Sequence, residues 1–473
     1  MAGLMLSRTA FPWRRLLAGA IIVLWLLISA KLLIHVLDSS SKIEMALCVA
    51  LLLAPFLLVK ISRVPIYLLA SYAAMVPFSG LLVTDSGSTI TKMLAMVTGG
   101  ALVLSIIATG KVAKPSRSLI IAAVLTAYIG ATIFWSINPP EALYTFGVHM
   151  MLVVLYAAIA LYPATPNDAK FVLAASIVGA IGVAAYGAYL FTHGQSVVET
   201  RLFIGWQDDT NSIDPNEYAA SLLTPIALSL MMFLRSKLDH TKVLWGGAVL
   251  LLLYGLMVSG SRGGMIALSV ILIFIMIRSA YRTQIIAMLP LVVIGVLMSP
   301  LAGRFVRGDV TSGDLRFDVW KIGLASLHQY WFNGAGFGNF RDAYVQYYLS
   351  TPHLKLLWDR PAHSILMQSA VELGVIGLVL VLAFWVAQFF ELYYVRGNDR
   401  AADVCTALCA GVIGLFVSGI SLDIMLSKYT WLAFSLIAFM RNALVRSGRE
   451  IDPSPQRVQT SGRQAAGLAI PRL

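Results

Sequence analysis

The chain has 473 residues, of which 59% are hydrophobic and 12% are charged, a balance far from that of soluble globular proteins. The formal net charge of +12 could suggest a nucleic-acid partner, but the lysines and arginines lie mostly in short segments between apolar runs and in the C-terminal tail. This is the pattern of membrane topology, so we expect no nucleic-acid partner. The three cysteines have no CxxC spacing, which favours buried apolar roles.

Continuous apolar runs of about 20 residues, enough to cross a bilayer as helices, recur from residue 16 almost to residue 441. They predict an all-α polytopic membrane protein with 12 to 14 transmembrane helices and one long polar insertion that contains short helices. The fourteen-span interpretation places them at 16–37, 43–60, 64–83, 90–109, 118–137, 142–161, 169–191, 217–234, 242–259, 263–278, 284–299, 364–390, 404–420 and 425–443. The first run resembles a signal peptide, but its length favours an uncleaved helix.

The distribution of lysine and arginine predicts the orientation. With fourteen spans, the basic segments at 60–63, 111–117, 235–242, 278–282 and 396–400 all fall on one side, which is therefore cytoplasmic. Both termini are predicted on that side. The polar segments 192–216, 259–262, 300–362 and 421–428 are predicted on the other side.

Five parts of the chain follow from this pattern. Residues 1–191 form N-terminal transmembrane helices, and residues 192–299 form central helices with the loops of Arg201 and Arg262. Residues 300–363 form the extracytoplasmic insertion, and residues 364–443 form C-terminal transmembrane helices. Residues 444–473 form a basic cytoplasmic tail of disordered composition that contacts membrane lipid through charge.

Several arginines lie on the side where topology does not require positive charge. Long loops follow the charge rule weakly, so Arg304, Arg307 and Arg341 carry less information than Arg262, whose loop has only a few residues. The arginines predicted on this side are Arg201, Arg262, Arg304, Arg307, Arg316, Arg341 and Arg360.

The segment 259–264, Ser-Gly-Ser-Arg-Gly-Gly, joins two predicted spans. Gly263 and Gly264 allow close approach of the backbone to a ligand, and the helix N-terminus that follows favours an anion. Arg262 adds a planar donor group suited to phosphate. The alternative is a snorkelling arginine at a helix end.

Arg201 precedes the segment 214–216, Asp-Pro-Asn, which opens the next predicted helix. Asp214 or Asn216 can cap that helix and Pro215 suits its first turn, so we interpret this segment as structural and Arg201 as the functional candidate. Nearby aspartates could hold a hard cation, but a solvated acidic loop fits their spacing better. We expect no metal site.

The insertion contains Trp320, Leu324, Leu327 and Trp331 at helical spacing. This stripe could lie along the membrane surface or pack against neighbouring spans. The glycine-rich segment 334–340 lacks the spacing of a dinucleotide loop and is interpreted as a tight turn.

His363, at the end of the insertion, is the main catalytic candidate, since imidazole transfers protons near neutral pH. The alternative is a helix cap or a surface histidine. Glu372 lies nine residues later, on roughly the opposite side of the same helix. It is therefore expected to hold another helix rather than to orient His363.

Together these segments resemble the bacterial O-antigen ligase and polymerase superfamily of membrane glycosyltransferases. The resemblance covers about residues 200–390 and rests on the motifs at 214–216, 261–264 and 334–338, on Arg316 and Trp320, and on His363 with Glu372 and Gly374. It implies transfer of a glycan from undecaprenyl diphosphate to a hydroxyl on the periplasmic face of the inner membrane, without a metal or another cofactor. A ligase acts on the lipid A core, whereas a polymerase acts on another carrier-linked glycan.

The resemblance also implies roles for individual residues. Arg201 and Arg262 would hold the diphosphate and His363 would assist the attacking hydroxyl, while Arg316, Arg360, Gly263 and Gly264 would contact substrate. The loop at 423–428 is at least as typical of a polymerase. A polysaccharide transporter or flippase, and a scaffold or receptor, are the competing classes.

Overall fold

The structure is a computed structural model that describes residues 63–81, 89–195, 197–198, 201–204, 214–237, 239–298, 311–351 and 360–449. The predicted spans 16–37 and 43–60 lie outside these residues, as do Arg304, Arg307 and residues 450–473 of the predicted tail.

About 79% of the described residues are helical. Short 3-10 segments at Val76–Phe78 and Ile133–Trp135 extend two of the α-helices, and two-residue strands, β1 (Val197–Val198) and β2 (Arg201–Leu202), pair antiparallel. The α-helices are α1 (Val64–Met75), α2 (Ile90–Thr109), α3 (Arg117–Thr132), α4 (Pro139–Leu161), α5 (Pro166–Thr192), α6 (Pro215–Arg235), α7 (His240–Val258), α8 (Arg262–Arg278), α9 (Arg282–Met298), α10 (Thr311–Tyr330), α11 (Phe340–Tyr348), α12 (Ile365–Tyr393), α13 (Arg400–Gly419) and α14 (Lys428–Arg446).

Eight of the described helices are long and apolar enough to cross a membrane: α2, α3 with its 3-10 extension, α4, α5, α6, α7, α12 and α13. This confirms the predicted all-α polytopic membrane protein. Twelve of the fourteen predicted spans coincide with described helices, several of them shorter than the eight. The total number of spans stays a prediction.

Helices α6 and α13 form the centre of the bundle and pack against each other. In the apolar parts of α6 and α13, 83% and 72% of the residues are buried inside the protein. In α2 only 22% are. Because α6 is enclosed by other helices, its N-terminus is held in a fixed position at one end of the bundle.

The insertion was predicted to contain only short helices, but its first described helix, α10, is 20 residues long. The turn that follows it, residues 331–339, docks into a break in α12 at Gly374, where the backbone has φ +66° and is not helical. Backbone hydrogen bonds join Ala335 N–H to the Val371 carbonyl and Val375 N–H to the Trp331 carbonyl, at 2.9 and 2.8 Å. This docking fixes the insertion to the membrane helices.

Glu372 completes the docking. Its side chain is 2% exposed and accepts hydrogen bonds from Gly338 N–H at 2.9 Å, from Phe340 N–H at 3.3 Å and from the Gln368 side chain at 3.3 Å. Gly334, at φ +79°, lies against the Glu372 backbone, and a Cβ there would overlap the Glu372 carbonyl oxygen. Glu372 therefore holds the turn 331–339 and the first residue of α11, whereas the sequence predicted that it would hold another helix.

The predicted apolar stripe of α10 and the residue after it is only partly buried. Leu324 and Trp331 are 56% and 60% exposed, while Trp320 and Leu327 pack on the protein. The buried face of α10 consists instead of Val319, Ile322, Ser326 and Tyr330. The spacing correctly predicted a helix. Which side of that helix is buried depends on its packing against α12.

Candidate active site

The N-terminus of α6 has a defined cap. Asp214 is the N-cap residue, its carboxylate accepts a hydrogen bond from Asn216 N–H at 2.7 Å, and Pro215 occupies the first turn. The capping prediction is thereby confirmed. Because Asp214 performs the cap, the Asn216 side chain is available for contacts with other loops.

Asn216 joins two loops that are distant in sequence. Its side-chain oxygen accepts hydrogen bonds from Arg201 Nη2 and from the Ser261 hydroxyl, both at 3.0 Å. Arg201 Nε also donates to the Ser259 carbonyl at 3.4 Å. Arg201 is therefore fixed beside the N-terminus of α8, whose first residue is Arg262.

The start of α8 is shaped by close packing. Ser261 is the N-cap residue and accepts a hydrogen bond from Gly264 N–H at 3.1 Å. A Cβ at Gly264 would lie 2.9 Å from the Ala219 Cβ on α6, and one at Gly263 would lie 2.9 Å from the Ser421 hydroxyl. Close packing therefore accounts for a glycine at both positions, and the contact of these glycines with substrate stays a prediction.

His363 has a backbone conformation that non-glycine residues seldom adopt. Its φ is +47°, and it is the sole non-glycine residue with positive φ in the described part of the chain. The indole N–H of Trp320 donates to the Ala362 carbonyl at 3.0 Å, and Ser364 caps α12 by accepting from Met367 N–H at 3.3 Å. Such a conformation costs about 1–3 kcal/mol and persists where neighbours impose it.

The charges around His363 come from several elements. Its half-buried position lowers the pKa of the imidazole, the guanidinium groups of Arg316, Arg360 and Arg341 lower it further, and the Asp214 carboxylate opposes them. All four charged groups therefore lie within electrostatic reach of His363. The imidazole is neutral at pH 7 and able to accept a proton.

Asp214 and Asn216 thus connect two clusters. Asp214 interacts electrostatically with His363, while Asn216, two residues later, binds Arg201 and the cap residue of α8. The end of α6 brings together the segments that carry the three predicted catalytic residues.

Acidic groups accompany the arginines. Burial raises the pKa of Asp423 to about 6, opposed by hydrogen bonds from Met425 N–H and the Gln368 side chain. Glu217, in the first turn of α6, interacts electrostatically with both Asp214 and Asp423. Gln368 also donates to Glu372, so it connects the Asp423 loop to the docked insertion.

Sequence reasoning missed three of these groups and discounted a fourth, Arg341. Arg341 was given little weight because it lies in a long loop, and Asn216 was interpreted only as a possible cap. Asp423 and Gln368 were given no role. An ionisable residue in a short extracytoplasmic loop was the one available signal, and it applied to Asp423.

Throughout the described ranges, no group of three or more histidine, cysteine, aspartate or glutamate side chains is arranged to hold a metal ion. The metal independence implied by the resemblance stays a prediction.

Comparison with known families gives one match. Residues 247–382 match the family model described as O-antigen ligase. This segment extends from α7 to the middle of α12 and contains Arg262, Arg316, Arg360 and His363, but neither Arg201 nor Asp423. No curated protein matches the chain significantly.

The match confirms the resemblance to the O-antigen ligase and polymerase superfamily. It supports a multi-pass membrane glycosyltransferase-type enzyme; the matched family implies a polyprenyl-linked glycan and a glycan acceptor, which for this chain are a proposal. It does not separate ligase from polymerase.

Proposed function

We propose that this protein transfers a glycan from undecaprenyl diphosphate to a hydroxyl of the lipid A core or a related surface glycan, as an O-antigen ligase. The reaction would take place on the periplasmic face of the bacterial inner membrane, with both termini in the cytoplasm. The observation that carries the proposal is the gathering of Arg201, the start of α8 and the surroundings of His363 at the N-terminus of α6.

The arginines fit the donor. A diphosphate leaving group carries concentrated negative charge, which guanidinium groups stabilise through paired hydrogen bonds. Arg201 is oriented by Asn216 and the Ser259 carbonyl, so little reorganisation is needed when the donor binds. We assign Arg201 and Arg262 to the diphosphate, and Arg316 and Arg360 to substrate contacts nearer His363.

The histidine fits the acceptor. A neutral His363 ring nitrogen would take the proton of the attacking hydroxyl, whose oxygen forms a bond to the anomeric carbon of the glycan. The bond from that carbon to the diphosphate oxygen breaks, and its electron pair leaves with undecaprenyl diphosphate. The products are the glycosylated acceptor, the free carrier and protonated His363, which returns its proton to solvent.

Two other functions compete with the proposed ligase activity. A polymerase of the same superfamily would use another carrier-linked glycan as acceptor, with the same residues. A transporter or flippase would place ionisable groups along a path near the middle of the membrane. The groups described above lie at helix ends and in loops, which favours an enzyme.

A deletion strain separates these functions. We expect unsubstituted lipid A core with intact carrier-linked polymer, and restoration of the wild-type profile by the intact gene. Carrier-linked single repeat units would instead indicate a polymerase. If the deletion leaves the lipopolysaccharide and exopolysaccharide profiles unchanged, the proposed function is wrong.

A further inference from the structure

A polar cavity lies at the end of the bundle opposite the candidate site. Helix α8 begins at Arg262 in the candidate site and ends 16 residues later at Arg278, about 24 Å away at 1.5 Å per residue. A cavity of about 260 Å³ lies there between the ends of α8 and α12 and the start of α13, and it shares no residue with the candidate site.

Arg278 forms the cationic wall of this cavity. Its Nη2 donates to the carbonyls of Tyr393 and Val395, and its guanidinium lies 4.3 Å from the centre of the Tyr393 ring. Within the described chain, Arg278 has no carboxylate partner and its buried Nε–H makes no hydrogen bond. The side chain is thus held in place while its charge stays uncompensated.

The other charges of the cavity leave it positive. The exposed Arg396 also lines it. Asp403, the acidic residue of the lining, is paired with Arg235 at 2.7 Å and accepts a hydrogen bond from the Tyr281 hydroxyl at 3.2 Å. The charge of Asp403 is therefore compensated from outside the cavity, and Arg278 and Arg396 determine its sign.

One wall of the cavity is apolar. Phe274 and Ile277, in the last turns of α8, line it, and the Ile277 side chain is 77% exposed on the protein surface. The cavity therefore presents cations and the polar side chains of Ser279, Asn398 and Thr406 beside an exposed hydrocarbon surface at a helix end. This combination suits an amphiphile with a negatively charged head group better than a free ion.

We propose that this cavity binds the phosphate head group of an anionic phospholipid, with an acyl chain along Phe274 and Ile277. By the predicted topology, the lipid comes from the cytoplasmic leaflet. The proposal does not depend on the glycosyltransferase function.

Native mass spectrometry of the purified full chain tests it, with phosphatidylglycerol and phosphatidylcholine added separately. We expect preferential retention of phosphatidylglycerol, and a loss of about fivefold in that retention for Arg396→Gln and for Arg278→Gln. Because Arg278 also binds backbone carbonyls, its variant could fail to fold. Arg396→Gln changes only an exposed side chain, so its result decides the proposal even if the Arg278 variant does not fold.

The matched control is Arg282→Gln, which removes an exposed arginine at the start of α9 that does not line the cavity. We expect it to leave retention unchanged. Equal retention of both lipids by the unmodified protein, or an equal loss in the Arg282 and Arg396 variants, would overturn the proposal. So would thermal stabilisation by inorganic phosphate alone equal to that by phosphatidylglycerol, since the site would then take a free anion.

Discussion

The side-chain oxygen of Asn216 lies 3.0 Å from Nη2 of Arg201, so a residue at the start of a central helix orients an arginine from another loop. The same oxygen accepts from Ser261, the residue before Arg262. The end of α6 thereby sets the relative position of the two arginines that we assign to the diphosphate.

Asn216→Ala tests this orientation. Losing a hydrogen bond to a charged group costs about 1.5–3 kcal/mol, so we expect kcat/KM for the lipid-linked donor to fall about ten- to hundredfold. Asn216→Asp keeps an acceptor for Arg201 and should recover part of the loss. Asn333→Ala is the control, since that side chain is exposed. An Asn216→Ala enzyme with wild-type kcat/KM would exclude the positioning role.

The pH dependence of transfer tests His363. Its pKa is lowered by burial and by neighbouring arginines, so the active neutral form should persist below pH 6.5 and the rate should fall only in more acidic solution. Arg316→Gln removes a cation that lowers this pKa. We therefore expect the acid limb of the pH profile to move to higher pH in that variant.

A control is needed because Asp423, with a pKa of about 6, titrates in the same range. Asp423→Asn should keep the acid limb, whereas His363→Asn should abolish transfer. Asparagine tolerates the left-handed backbone conformation, so loss of activity in this variant reports the missing imidazole rather than misfolding. An acid limb that disappears in Asp423→Asn would assign the titration to the carboxylate.

Gly334→Ala tests the docking of the insertion. Its Cβ would overlap the Glu372 carbonyl oxygen at a φ of +79°, so we expect destabilisation by about 2–5 kcal/mol and a lower midpoint of thermal unfolding in detergent. Gly147→Ala is the matched control, because a Cβ there meets nothing within 4 Å. Equal midpoints for the two variants would contradict the docking.

The ion pair between Arg441 and Glu391 is expected to stabilise the fold without taking part in glycan transfer. Glu391 is 8% exposed, lies 2.9 Å from Arg441 and accepts from Ser118 N–H at 3.0 Å. Arg441→Gln should destabilise the protein by about 3–5 kcal/mol, because a buried carboxylate loses its partner. Transfer per folded molecule should not change. A lower rate per folded molecule would connect this pair to the active site.

The helices could be predicted from the sequence and most of the site could not. The predicted span 90–109 coincides with α2, because a continuous apolar run has no alternative in a membrane. The Asp214 cap was also within reach, since capping is local. The bonds from Asn216 to Arg201 and Ser261 join segments 15 and 45 residues away, and they depend on how the helices pack.

Contacts between distant segments also determine which face of α10 is buried. Its spacing predicts a helix, but Leu324 and Trp331 are exposed while Ile322 is buried, and the turn 331–339 that follows docks into the break in α12. This break occurs at Gly374, which has a positive φ. The apolar sequence around Gly374 does not show that the helix is broken there.

The most direct test of the account measures glycan transfer in membranes that hold equal amounts of wild-type, Arg262→Gln and His363→Asn protein. If the two residues serve one reaction, each variant should lose nearly all transfer, and the double variant should lose little more, since residues that act together are not additive. Wild-type transfer by either variant would contradict the proposed site.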